Sequence, residues 1–372
     1  MSNRVGLMEA AAPSPDVVSA LPRDHPPIKP PRIGVLLLNL GTPDATDYWS
    51  MRRYLSEFLS DRRIIELSPW LWQPILQGII LTVRPKKSGH AYQEIWNREK
   101  NESPLLTITR DQAEGLQRVI SGRFRNVSVE FAMRYGNPST ESGVRKLIDQ
   151  GCQRILVFPL YPQYSAATTA TACDQAFRVL MKERWQPAVR TMPAYHDHPG
   201  YIRALADSIR AHYASLDWEP EVLLASYHGL PKENLDKGDP YHCHCHKTTR
   251  LLREELGWPE ERLRITFQSR FGPKEWLQPY TDVTVEELAR SGVKNIAIIT
   301  PGFSADCVET LEEIDIGARA TFLENGGQNF TYIPCLNDSP GHLRFLADLI
   351  EEELAGWLGA PEHAAAATAA SR

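Results

Sequence analysis

No stretch of this chain is apolar for the roughly 20 residues that a membrane-spanning helix requires. No block of basic residues stands out, and 46 acidic against 41 basic side chains leave a formal net charge of −5. That balance speaks against a nucleic-acid partner. Residues 1–31 lack the apolar segment of a secretory signal, and Glu9, Asp16 and Asp24 are at odds with an acid-poor transit peptide. With Pro26, Pro27, Pro30 and Pro31, they read as a disordered leader. Cysteine is sparse, at six in 372 residues. A chain this long and 42% hydrophobic can build a core without disulfides, so reduced thiols and a cytoplasmic location are expected. The Ala-rich segment 360–372 reads as a disordered tail.

What is present is a series of apolar, β-branched runs separated by helical stretches. They are Ile33–Leu40, Val127–Met133, Arg154–Leu160 and Val189–Ala194, then Val222–Ser226, Arg264–Ser269, Asn295–Thr300 and Phe330–Leu336. Strands buried on both faces read as continuous apolar runs, and alternation with helices implies parallel sheets. The expectation is an α/β protein of two similar Rossmann-like domains, 32–200 and 201–359, each a four-stranded parallel sheet flanked by helices. A repeat supports duplication. Pro199–Ile209 and Pro340–Ile350, 141 residues apart, are identical at seven of eleven positions. Each has a helix-start proline and amphipathic spacing. Helix 340–357 is free to pack on the first domain.

Two segments place ionisable residues where strands hand over to loops, the edge at which open parallel sheets bind ligands. One is Ser226-Tyr227-His228-Gly229-Leu230-Pro231; the other runs from Pro301 to Glu313. Histidine is the side chain whose ordinary pKa suits proton removal near neutrality, and imidazole with carboxylate suits a borderline divalent metal. His228 and Glu309 are therefore the candidate catalytic pair. Asp306, Glu309 and Glu313 have the spacing of one helical face, and with His228 they make a candidate metal set. The plainer readings are a structural histidine and a solvated acidic face.

Two stretches stand apart. Trp70, Leu71, Trp72, Ile75, Leu76, Ile79, Ile80 and Leu81, followed by Arg84, Lys86 and Lys87, are too apolar for a connector. They read as a core helix, as a lip over a pocket, or as a surface in peripheral contact with a membrane. His242-Cys243-His244-Cys245-His246 resembles a metal-binding tract, but its spacing is not that of a tetrahedral zinc site.

Together these segments resemble the ferrochelatases, from about Arg32 to Trp357, with the motifs in order. Supporting segments are Leu38-Asn39-Leu40-Gly41-Thr42-Pro43, Glu102-Ser103-Pro104-Leu105, Met133 to Pro138, Tyr161 to Ser165 with Thr168 and Thr169, and Gln268 to Pro273 with Trp276-Leu277. The His-Gly-Leu-Pro wording is similar to proteobacterial members. The resemblance implies a chelatase-like fold and insertion of Fe²⁺ into protoporphyrin IX, the terminal step of heme biosynthesis. It implies porphyrin contacts from Tyr92, Ser103, Arg134, Tyr135, Tyr161, Trp276 and Phe303, and a π-helical segment that aims the acids of 306–313 into a cleft. The family often has histidine where Cys307 stands.

The resemblance also implies Fe²⁺ as substrate rather than resident metal. The [2Fe–2S] cluster of animal members, held by cysteines near the chain end, is not expected, because no cysteine follows Cys335. A monomer or homodimer, peripheral to the inner membrane or free of it, fits equally. A tetrapyrrole carrier without catalysis and a chelatase for coproporphyrin III or another metal are the competing readings.

Overall fold

The computed structural model describes residues 31–358. The expected leader, but for its last residue, and the expected tail lie outside the described residues. All eight apolar runs are strands: β1 (Arg32–Thr42), β2 (Val127–Gly136), β3 (Cys152–Pro159), β4 (Ala188–Thr191), β5 (Val222–His228), β6 (Leu263–Gln268), β7 (Asn295–Ile299) and β8 (Asn329–Ile333). They form two parallel sheets of the same topology, β2-β1-β3-β4 and β6-β5-β7-β8. The shared order is what duplication of one α/β unit produces.

Each central strand is buried on both faces because helices cover both sides. The outer faces carry separate cores, Leu36, Val157 and Ala176 in the first half and Leu224, Ile298 and Phe322 in the second. The inner faces share one. Leu37, Phe158, Tyr195, Leu223, Tyr227 and Phe345 belong to a single apolar cluster running through both halves.

The two closing helices cross. Helix Pro199–Ala214 packs on Tyr241–Leu256 of the second half. There Tyr213 meets Trp258 at 5.5 Å, and His212 Nε2 lies 2.7 Å from Thr331 Oγ1. Helix Pro340–Glu353 packs on Pro104–Ser121 of the first half. Leu343 fills the space at Gly115, where a Cβ would sit 2.5 Å from its Cδ1. Arg123 pairs with Asp348 at 2.7 Å and with Glu351 at 2.9 Å. Asp348 thus joins the two halves.

Burial at this seam has a pH consequence. His342 is fully buried, with Nδ1 2.6 Å from the Asn337 carbonyl, and burial lowers its pKa to about 4. Burial, reinforced by His244, brings His196 to about 4 as well. An unfolded chain binds these protons near pH 6.5 and the folded chain refuses them, so stability is lost as pH falls from 6.5 toward 4. His342 alone contributes roughly 3 kcal/mol of that loss by pH 4. Urea midpoints at pH 7 and pH 4.5 should differ, and His342→Gln should narrow the difference. An unchanged gap in the variant would assign the acid sensitivity elsewhere.

Candidate active site

Strand β5 is buried from Val222 to Tyr227 and delivers a half-buried His228 at its end, in register with Gln268 of β6. His228 Nδ1 lies 2.7 Å from the Gly229 carbonyl. A carbonyl only accepts, so Nδ1 carries the hydrogen and Nε2 keeps its lone pair for a proton or a metal. Gly229 itself donates to the Gln268 carbonyl at 2.7 Å. A Cβ there would come within 2.7 Å of that carbonyl and 3.2 Å of Trp276. Trp276, nearly buried and donating its indole N–H to the Phe271 carbonyl at 3.0 Å, supports the turn.

The chain leaving β7 turns and bends over residues 301–305, is extended at Cys307, turns α-helical over Val308–Thr310, and continues in π geometry over Leu311–Ala318. Such wide turns inside helices occur frequently at functional sites. Glu313, in the π segment, accepts from Ser269 N at 2.7 Å and from the Ser269 hydroxyl. Gln268 Nε2 donates to the Glu309 carbonyl at 2.7 Å and reaches Glu313 at 3.4 Å. Ser269 holds a left-handed φ of 66° to make these bonds, a conformation that costs a non-glycine residue about 1 kcal/mol or more. Burial raises the Glu313 pKa; the Ser269 bonds and the His228 charge oppose the rise, and Glu309 adds to it. Glu313 therefore lies near both His228 and Glu309, and Gln268, in register with His228, bonds the Glu309 backbone.

Asp306 is not with them. It precedes the helix, so helical spacing does not apply to it. Its buried carboxylate accepts from Tyr332 at 2.6 Å, Asn337 at 2.7 Å and Thr310 at 3.0 Å. Among the described residues, no three His, Cys, Asp or Glu side chains come together closely enough to hold a metal ion. This corrects the four-residue metal set. Asp306 is a structural clamp and Glu313 is tied to Ser269, which leaves His228 and Glu309.

The walls divide in the same way. Tyr92, on helix Leu81–Ile95, has its phenol pKa raised by burial and then by the charges of Glu309 and Cys307. That helix packs on the π segment. Phe303 is half-buried against Leu105, Ala305 and Cys307. The Tyr161 hydroxyl is buried without a partner. Ser103, Arg134 and Tyr135 are turned inward, contrary to the expectation of porphyrin contacts. Ser103 is buried and caps its helix, accepting from Leu106 N at 3.2 Å. Arg134 is ion-paired with Asp61 and bonded to Thr171 at 2.7 Å. Tyr135 is fully buried and donates to Asp61 at 2.8 Å.

Sequence reasoning missed Asp61 as the partner of that pair, and Gln268 and Ser269 as holders of Glu313. Nothing in Ser60-Asp61-Arg62-Arg63 marks the first; the Gln268-Ser269 motif was visible, but not its target. A cavity of about 1190 Å³ was also missed. Arg52, Arg53, Arg62, Arg63, Arg178, Asp61 and Arg134 line it, and neither His228 nor Glu309 does. This cavity is thus not where the chemistry-bearing residues gather.

The ferrochelatase family model matches residues 32–354. The chain belongs to the ferrochelatase family. A ferrochelatase of Allorhizobium ampelinum is 60% identical over 92% of this chain and 99% of its own length. That of Rhizobium meliloti is 61% identical over 90% of this chain and 98% of its own, and that of Rhodobacter capsulatus 59% over 91% and 97%. Among solved structures, SirB from Bacillus subtilis with Fe³⁺ overlays with a TM-score of 0.52 at 13% identity, over 86% of this chain and 95% of that one. DR2241 from Deinococcus radiodurans, described as similar to chelatases, gives 0.50 at 13%, over 86% and 54%. Those two likenesses concern the fold alone. This ferrochelatase is a lyase of heme biosynthesis, with ferrous iron and porphyrin as its substrates.

Proposed function

We propose that this ferrochelatase inserts Fe²⁺ into protoporphyrin IX at the strand ends of its second sheet, with His228 and Glu309 as the working pair. The observation that carries this reading is their convergence. β5 and the segment after β7 deliver an imidazole with a bare Nε2 and two carboxylates to one place, facing Tyr92 of the first half. The reaction must remove two pyrrole protons as the metal takes four ring nitrogens. His228 takes protons through Nε2. Glu309 shares the metal or the protons with it, and Glu313, whose pKa burial raises, passes protons on.

The absence of a closed ligand cage among the described residues suits a metal that must be surrendered to the porphyrin. A site with three or four tight protein donors would compete with the macrocycle for it. Tyr92, Tyr161 and Phe303 supply flat and apolar walls for the ring. We assign the reaction no resident iron–sulfur cluster.

The segment Pro69–Ile95 is two helices joined by a π turn. Leu76 and Leu81 are buried, while Trp70 is 90% exposed, Val83 71% and Leu71 68%. No helix among the described residues is long and apolar enough to cross a membrane. The exposed aromatic and aliphatic side chains, with Lys86 and Lys87 beside them, support a lip in peripheral contact with a bilayer.

Glu309→Gln tests the pairing. Metal insertion, followed as the Soret shift from free porphyrin to metalloporphyrin, should slow by on the order of 100-fold. An unchanged rate would remove this carboxylate from the metal and proton path.

A further inference from the structure

We infer that His242 and His246 form a peripheral binding site for one divalent first-row cation such as Zn²⁺, outside the cleft, with water completing the coordination. The alternating His-Cys tract lies on helix Tyr241–Leu256, so its side chains separate by helical and not by strand geometry. Cys245 goes into the core, and Cys243 is exposed. His244 turns toward the first half, where its ring stacks on His196 at 3.6 Å and its Nδ1 accepts from Tyr164 N at 3.2 Å. Parallel stacked rings cannot aim their nitrogens at a common ion, so His244 and His196 are excluded.

His242 and His246 remain, four residues apart on one face, with ring centres 4.3 Å apart and planes inclined by 51°. Two histidines four apart on a helix are a recurrent zinc-holding pair. Zinc binds imidazole nitrogen at about 2.0–2.1 Å, so two rings sharing one ion at a near-tetrahedral angle have centres roughly 5 Å apart. The pair needs to open by only about 1 Å to reach that spacing. His242 lies against Phe267, its ring 5.8 Å away and nearly parallel, which limits its rotation. His246 stands at the surface and is free to adjust.

Metal binding takes the neutral imidazole, the form that ordinary histidine favours at pH 7. Nearby Glu260 favours a cation at His246. Arg253, which opposes it, is held by Glu260 at 3.1 Å and by the Leu263 carbonyl at 2.8 Å. No three candidate ligands gather among the described residues, so the site holds its ion through two protein donors, with the remaining positions filled by water.

The test uses the full chain and Zn²⁺ alone, with His228→Ala in the background to silence the cleft. Equilibrium dialysis should give one bound equivalent, lost in the His242→Gln/His246→Gln double variant. Equal zinc uptake with and without the pair would overturn the inference. A second measurement needs no variant: zinc should shield His242 and His246 of the wild-type chain from carbethoxylation, mapped by peptide mass. Identical labelling with and without zinc would also overturn it. With His228 intact, the double variant should keep its rate of metal insertion at saturating Fe²⁺. A fall in that rate would place the pair in the reaction and refute its peripheral character.

Discussion

Replacing His228 by alanine should lower metal insertion by about 100-fold or more while porphyrin still binds. General-base groups typically contribute 10²–10⁴-fold, and the proposed metal contact would be lost with the same imidazole. The proposed porphyrin walls, Tyr92 and Phe303, lie on other elements and do not depend on the ring of His228. The fold should tolerate the change, because His228 is half-buried at a strand end and bonds only its own neighbour's carbonyl. Insertion rates with zinc or iron, beside porphyrin fluorescence quenching, separate the two effects. A variant that keeps a tenth of the rate or more would deny His228 its role.

The largest expected loss of stability comes from Asp61. Its carboxylate is almost fully buried and accepts from Arg134, Thr171, Tyr135 and the Arg63 amide. Burial alone would raise its pKa; the bonds from Thr171, Arg63 and Tyr135 and the charge of Arg134 outweigh it and bring it below the usual carboxylate value. Asp61→Ala leaves a buried guanidinium without its counter-charge, together with two hydroxyls lacking an acceptor. Breaking one side of such a pair costs about 3–5 kcal/mol. Asp61→Asn, which keeps an acceptor but not the charge, should fall between wild type and alanine. Urea unfolding measures both, and a loss below about 1 kcal/mol for alanine would mean that Arg134 finds another partner.

The strands were legible in the sequence because a parallel strand covered on both faces has no polar side to obscure it. The duplication was legible because its closing helices kept their residues. What the sequence withheld was direction. Arg134, Tyr135 and Ser103 stand in motifs that surround a cleft, yet their polar atoms point into the protein, and only the position of Asp61 explains the first two. Asp306 has helical spacing to Glu309, but the helix begins two residues after it, so the spacing carries no face. The tract 242–246 alternates as a strand would, while Asp239-Pro240 before it opens a helix. The bare Nε2 of His228 depends on one carbonyl, which no pattern of letters encodes.

The crossed closing helices bear on how the enzyme opens. Each half lends its last helix to the other, and the shared apolar cluster continues between them. Pulling the halves apart would strip both helices from their partners, so neither sheet is a self-sufficient piece and the halves are poorly suited to hinge motion. A flat macrocycle at the proposed site would then be admitted by movement of the Pro69–Ile95 segment rather than by separation of the halves, and the exposed Trp70 and Leu71 would travel with it.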